Sequence, residues 1–280
     1  MVDLSTRELQ EIEEANLSER QPVVFVHGLW LLASSWDPWR DLFDQRGYTT
    51  IAPGWPDDPP TVAVARQNPE VFAHKTVQQV TDRYLAAIEI LDRQPLVVGH
   101  SFGGLIAQKI AGTGAAKATS AIVPAPFRGV LPLPRTALKS AFPVLGNPAN
   151  RKRAVALTYE QFNYGWTGQL PEDEARRLYD TFHVATSGIP LFEAATANIN
   201  PFTGAKVDTK NPQRGPLQIV AGEKDRTVPW AISNASYKRQ IRNPAPTEII
   251  EMKDRGHSLI LDHGWKEVAD TVLEFFNRHG

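Results

Sequence analysis

A serine set among glycines, between a strand pattern and a helix pattern, is the first group in this sequence whose type and setting could do chemistry. In the stretch LVVGHSFGGLIAQKIAG, Leu96 to Gly112, the residues Gly99-His100-Ser101-Phe102-Gly103 fit G-x-S-x-G. A strand that turns directly into a helix brings the residues two before and two after the serine against neighbouring backbone, where a Cβ would collide. The serine is then held on a strained bend with its hydroxyl projecting above the sheet edge. It also sits at a helix N-terminus, where free N–H groups favour developing negative charge. Gly104 is expected to permit close helix–sheet packing, and Gly112 to end the helix. Five residues alone fit a plain tight turn equally well; the strand before and the helix after tilt the reading toward chemistry.

A serine hydroxyl attacks well only when a base takes its proton, and the base needs a carboxylate to orient it. Of the seven histidines, His257 lies in MKDRGHSL, just past the last expected strand, in a Gly-containing loop from which an imidazole can hang over the sheet edge. His100 adjoins the serine, but neighbours alternate in direction on leaving a strand, so its side chain should point away. His27 reads as support for the Gly28 loop, and His74, His263 and His279 as surface or helix-end residues. His183 either lines a pocket or packs, with packing favoured. For the carboxylate, LQIVAGEKDRTVP offers Glu223 and Asp225. Asp225 is the choice and Glu223 the fallback; Asp254 sits too close to His257 along one loop. Two N–H donors should face the developing oxyanion. One is Phe102, directly after the serine. The other is Leu29, after Gly28 in VVFVHGLWLLASSW, with Trp30 as a possible wall. On its own, that Gly28 loop reads equally well as a simple turn.

The elements that must position these groups are short β-branched runs alternating with helical patterns, which imply a parallel sheet covered by helices. Strands are expected at Pro22–Val26, Thr49–Ala52, Leu96–Gly99, Thr119–Val123, Leu217–Ala221 and Thr247–Met252. Thr76 can cap a helix with apolar positions Val77, Val80, Tyr84, Ile88 and Leu91. Near the C-terminus, Trp265, Val268, Ala269, Val272, Leu273 and Phe276 form a stripe that packs on the sheet. From Pro132 to Gly215 the rhythm breaks: no convincing strand, several Pro and Gly breaks, and a helix at Pro171–Val184. That length is too great for a loop in a compact domain. The expected division is therefore a core of residues 1–131 and 216–280 with an inserted helical cap at 132–215.

Composition narrows the partners. Thirty basic against thirty-one acidic residues give a net charge of -1, which argues against nucleic acid or an anionic membrane as the main partner. The run Arg151-Lys152-Arg153 reads as a solvated loop face. With no cysteine, disulfides, thiolate nucleophiles and zinc–thiolate sites are excluded. The N-terminus has no apolar signal core and no segment has the length of a membrane span. A cytoplasmic monomer or homodimer acting on a small-molecule substrate is the expectation.

The residues resemble the α/β-hydrolase family: "HG" after the first clear strand, "GHSFGG" at the serine, "GEKDRTVP" after the penultimate strand and "RGHS" after the last, in the chain order Ser101…Asp225…His257. The likeness runs from Pro22 to the C-terminus, with 132–215 in the position of the family's variable cap. It implies an α/β fold, a mostly parallel sheet flanked by helices, and a Ser101–Asp225–His257 triad with an oxyanion hole at Leu29 and Phe102. Relatives that break carbon–halogen bonds or epoxides carry aspartate where Ser101 stands, so a serine implies acyl transfer through an acyl-enzyme. The expected activity is hydrolysis of a carboxylic ester or lactone of a small to medium apolar molecule. Aromatic surface near the relevant loops comes from Trp30, Phe127 and Trp166, among others. Trp30, Phe127 and, if it lines a pocket, His183 are candidate substrate contacts. No cofactor and no metal are implied. Cofactor-free perhydrolases, carbon–carbon bond hydrolases and hydroxynitrile lyases resemble this layout too, and a ligand receptor on the same scaffold is a non-enzymatic alternative. One departure concerns the sheet: the family commonly begins with an antiparallel hairpin, whereas Met1–Arg20 reads as helical or loose.

Overall fold

In the computed structural model, which describes residues 4–280, eight strands occur in chain order: β1 (Pro22–Val26), β2 (Thr49–Ile51), β3 (Leu96–His100), β4 (Ala118–Ile122), β5 (Ala154–Val155), β6 (Thr186–Ser187), β7 (Leu217–Gly222) and β8 (Thr247–Met252). Six of them form one sheet in the order β2-β1-β3-β4-β7-β8, every pairing parallel. The central strands β1, β3, β4 and β7 are buried along their whole length. That explains their continuous apolar runs, because strands covered on both faces have no solvent side to alternate with. Among the described residues no hairpin precedes β1; the helix Thr6–Leu17 packs against β2 at that edge instead. Residues 1–3 of the expected helical or loose N-terminus lie outside the described part.

The chain leaves β1 for β2 on one side and later returns to place β3 on the other. This is a topological switch point, where open parallel sheets bind their ligands beyond the strand C-termini. Val26 pairs with Gly99 across that point, so the loops starting at His27 and Ser101 emerge side by side. The helix Phe102–Thr113 packs on β3 and β4 and is buried at every position but its last. Trp39, fully buried, donates its indole N–H to the Ile260 carbonyl at 2.9 Å. It thereby anchors the loop that carries His257.

Two expectations need correction. The segment 132–215 holds helices Arg135–Leu145, Glu172–Phe182 and Ile189–Ala195. It also holds the antiparallel pair β5–β6, two residues each; strands so short carry no periodic signal. The helix after Ser101 does not end at Gly112. It runs to Thr113, and Gly114, at φ 82°, provides the left-handed cap. Gly112 is small for another reason: a Cβ there would come 2.7 Å from the Asp208 carbonyl oxygen.

Gly99 and Gly103 answer to the steric requirement of the turn. A Cβ on Gly103 would run into the Val26 carbonyl, and one on Gly99 into the Gly103 carbonyl and the Ala107 methyl. The two carbonyls are backbone of buried elements that cannot step aside. Gly103→Ala is therefore expected to cost about 3 kcal/mol or more of stability, at the overpacking limit, read by denaturant unfolding. An alanine variant as stable as the parent would contradict this geometry.

Candidate active site

Ser101 sits at φ 57° and ψ −119°, a region costly for any residue with a Cβ. The bend is held from both sides. The Ser101 N–H donates to the Ile122 carbonyl at 2.9 Å, and its carbonyl accepts from Gly104, Leu105 and Ala125. Its hydroxyl points to His257, donating to Nε2 at 2.9 Å. On the far side of the ring, His257 Nδ1–H donates to Asp225 Oδ2 at 2.7 Å. Both side chains of that pair are fully out of contact with solvent. The second carboxylate oxygen, Oδ1, accepts from the N–H groups of Thr227 and Val228, each at 2.7 Å. With those bonds in place, Asp225 has one orientation, and it sets the imidazole tautomer that leaves Nε2 free to receive the serine proton.

Glu223 is elsewhere. It is exposed, and its carboxylate accepts from the Asp254 N–H and from Lys253. Asp254 pairs with Lys224.

His100 is directed to the His257 carbonyl, donating from Nε2 at 2.8 Å, and not to Ser101. Burial, then the neighbouring His257, hold it well below the usual histidine range, so it stays neutral. Trp166 also meets the His257 ring, at 4.7 Å and nearly perpendicular, and its ring lies 5.4 Å from that of His100. Its carbonyl accepts from the Ser258 N–H. Trp166 lies in a π-helical turn, Asn163–Thr167, an uncommon geometry that recurs at functional sites. One residue earlier, the Gly165 carbonyl accepts from the Thr227 hydroxyl at 2.9 Å, and Ser140 donates to that same hydroxyl at 2.7 Å. The segment 140–166 thus contacts both the His257 loop and the Asp225 loop.

On the opposite side lies the Gly28 loop. A Cβ added to Gly28 would sit 3.0 Å from Ser101 Cβ and 3.5 Å from the Phe102 nitrogen. Among the described residues neither Leu29 N–H nor Phe102 N–H donates to another group. His27 supports this loop: Nδ1 bonds the Gly28 carbonyl at 2.9 Å, and Nε2 bonds Asp58 at 3.0 Å. Asp58 also accepts from the Trp55 N–H, and the Trp55 ring stacks on His27. Asp58 is 31 residues from His27 and carries no local mark of this role.

The candidate substrate contacts divide. Trp30, at φ 63°, is buried and tied to the insertion: its indole donates to the Val155 carbonyl and its own carbonyl accepts from Val184. Phe127 is buried two residues past Ala125, whose N–H holds the Ser101 carbonyl. His183 is committed to packing: Nε2 accepts from the Leu157 N–H, and its ring stacks on Tyr179 and meets the edge of Phe162. Ser101 itself is only 5% exposed. A cavity of about 830 Å³ lies elsewhere, lined by residues such as Glu8, Asp37, Trp55, Asp58 and Arg83, and contains none of Ser101, Asp225 or His257.

The sequence matches the signature described as the Alpha/beta hydrolase family over residues 23–271. No curated protein matches it. Solved structures of similar fold include a monoacylglycerol lipase from Paleococcus ferrophilus, 20% identical, covering 92% of this chain and 95% of its own at a TM-score of 0.64. A pyrethroid hydrolase from Sphingobium faniae JZ-2 is 15% identical, with 91% and 96% covered and a TM-score of 0.62. Polyneuridine aldehyde esterase is 16% identical, with 92% and 99% covered and a TM-score of 0.62.

The insertion carries its own pH dependence. Burial, reinforced by the Arg66 charge, lowers the pKa of His183 to about 4. The unfolded chain takes up that proton below about 6.5. Stability is therefore complete above pH 6.5 and declines as pH falls toward 4, by about 3 kcal/mol from this group alone. Denaturant unfolding at several pH values should show a steeper acid loss for the parent than for His183→Gln. Equal slopes would contradict the assignment.

Proposed function

The chain belongs to the Alpha/beta hydrolase family, and from that premise we propose that it is a serine hydrolase cleaving a carboxylic ester or lactone of a small to medium apolar molecule. The observation that carries this reading is the unbroken line Ser101 Oγ–His257 Nε2, His257 Nδ1–Asp225 Oδ2 at 2.9 and 2.7 Å. His257 takes the hydroxyl proton as Ser101 Oγ attacks the ester carbonyl. Asp225 stabilises the imidazolium, and the N–H groups of Leu29 and Phe102 receive the oxyanion, each donor worth about 10²–10³ in rate. Collapse of the tetrahedral intermediate breaks the carbon–oxygen bond to the alcohol, which leaves with the proton from His257. Water then attacks the acyl-enzyme; His257 accepts its proton and returns it to Ser101 as the acid departs. Every proton moves through side chains of this chain.

The substrate site in this reading lies between the core, residues 1–131 and 216–280, and a cap formed by 132–215. Trp30, Phe127 and Trp166 supply the apolar walls. Because Ser101 is buried beneath the insertion, substrate admission requires the cap contacts, Trp30 to Val155 and Thr227 to Gly165, to open.

Turnover of a p-nitrophenyl ester tests the roles. Ser101→Ala should lose about 10⁴-fold or more, and Asp225→Asn about 10³–10⁴-fold, with folding intact. Glu223→Gln should stay near the parent rate. A Ser101→Ala variant that keeps most of its activity overturns the reading, and a loss on Glu223→Gln without one on Asp225→Asn reassigns the acid.

A further inference from the structure

Half of the twelve large apolar side chains exposed among the described residues fall in two short stretches of the insertion and its entry: Leu131, Leu133, Leu138, Phe142, Ile199 and Phe202. The fold holds those stretches together. Arg128 donates to the Pro201 carbonyl, the Gly129 N–H to Asn198 Oδ1, and Asn198 Nδ2 to the Val130 carbonyl. The helix Arg135–Leu145 packs on Ile189–Ala195, which leads into the second stretch. At about 100° per residue, Arg135, Leu138, Lys139 and Phe142 share the exposed side of their helix, opposite the buried Val144. Phe142 is 69% exposed and Phe202 92%, unusual for rings in a folded chain.

Charge marks what such a face would meet. No Asp or Glu occurs between Asp92 and Glu160, while nine Lys and Arg do; six of these lie between Arg128 and Arg153. Residues 194–205 are uncharged. Arg135, Lys139, Arg151, Lys152 and Arg153 are exposed, and none forms an ion pair among the described residues. The net charge of -1 for the whole chain conceals this local excess.

We propose that this basic apolar face of the insertion docks on the surface of an anionic phospholipid bilayer, Leu138, Phe142 and Phe202 entering the headgroup–acyl boundary while Arg135 and Lys139 pair with lipid phosphates. Lys139 lies over the Tyr164 ring at 4.2 Å but has no carboxylate partner, and exposed rings beside cations free of ion pairs are the composition of an interfacial binding face. A twofold dimer through the same face would gather the basic residues of both copies into one interface that offers no carboxylate, which disfavours self-association as the reason for the patch. The attachment is peripheral: among the described residues no helix is long and apolar enough to cross a membrane.

Co-sedimentation of the full chain with vesicles tests this independently of catalysis. Binding is expected to mixed phosphatidylglycerol–phosphatidylcholine vesicles, to weaken at high salt, and to be much weaker on phosphatidylcholine alone. Arg135→Gln with Lys139→Gln should weaken partitioning about fivefold per residue. Leu138→Ser with Phe142→Ser should abolish it, while hydrolysis of a water-soluble ester and the unfolding midpoint stay at parent values. Absence of vesicle binding overturns the proposal, as does binding indifferent to both double variants. A dimer in sedimentation that Leu138→Ser with Phe142→Ser dissolves, without vesicle binding, assigns the face to a second copy instead.

Discussion

The bend at Ser101 is the constraint on which the rest of the site depends. At φ 57° the backbone costs about 1–3 kcal/mol, and only surrounding structure can hold it there. Gly99 and Gly103 leave room for β1 and the following helix to close on the turn, while Ile122 and Ala125 bond its N–H and carbonyl. Because the bend is held, the hydroxyl has one direction, toward His257. Because the Asp225 carboxylate is pinned by Thr227 and Val228, the imidazole that meets the hydroxyl has one orientation and one tautomer. Preorganisation here is a chain of local backbone bonds, each satisfied away from solvent.

A second layer steadies that chain from outside the sheet. The π turn at Asn163–Thr167 presents Trp166 to the ring of His257 and the Gly165 carbonyl to Thr227, and the far side of the insertion catches Trp30. The same segment therefore supports the His257 and Asp225 loops. In the proposed function support and access are coupled: loosening this segment to admit a substrate would also loosen contacts that fix the imidazole. The acid sensitivity of His183, buried in this insertion, adds a route by which pH reaches the same segment.

Much of this was legible in the sequence because the chemistry-bearing residues sit at strand ends. Ser101, Asp225 and His257 each follow an apolar run by a few residues, and the parallel order of those runs brings their ends to one edge. The central strands were readable because burial on both faces leaves an unbroken apolar signature. What stayed hidden depends on distant partners. His27 could be read as loop support, but not its bond to Asp58; Trp166 showed as an aromatic near the right loops, but not as the residue against His257. Gly112 carried the usual sign of a helix end, yet its size answers to Asp208, and Gly114 makes the cap. The strands β5 and β6 arise from two residues each meeting across the insertion. The basic apolar face was masked by a balanced total charge, which averages over the sequence what the fold gathers on one side.

The central claim is that Ser101 is a nucleophile activated by His257. The most direct measurement is covalent labelling by a fluorophosphonate, with the adduct located by peptide mass spectrometry. The account predicts a single phosphonylated site at Ser101 in the parent, and loss of labelling in His257→Ala with the fold retained. Failure of the folded parent to label, labelling at another residue, or undiminished labelling of Ser101 without His257 would contradict it.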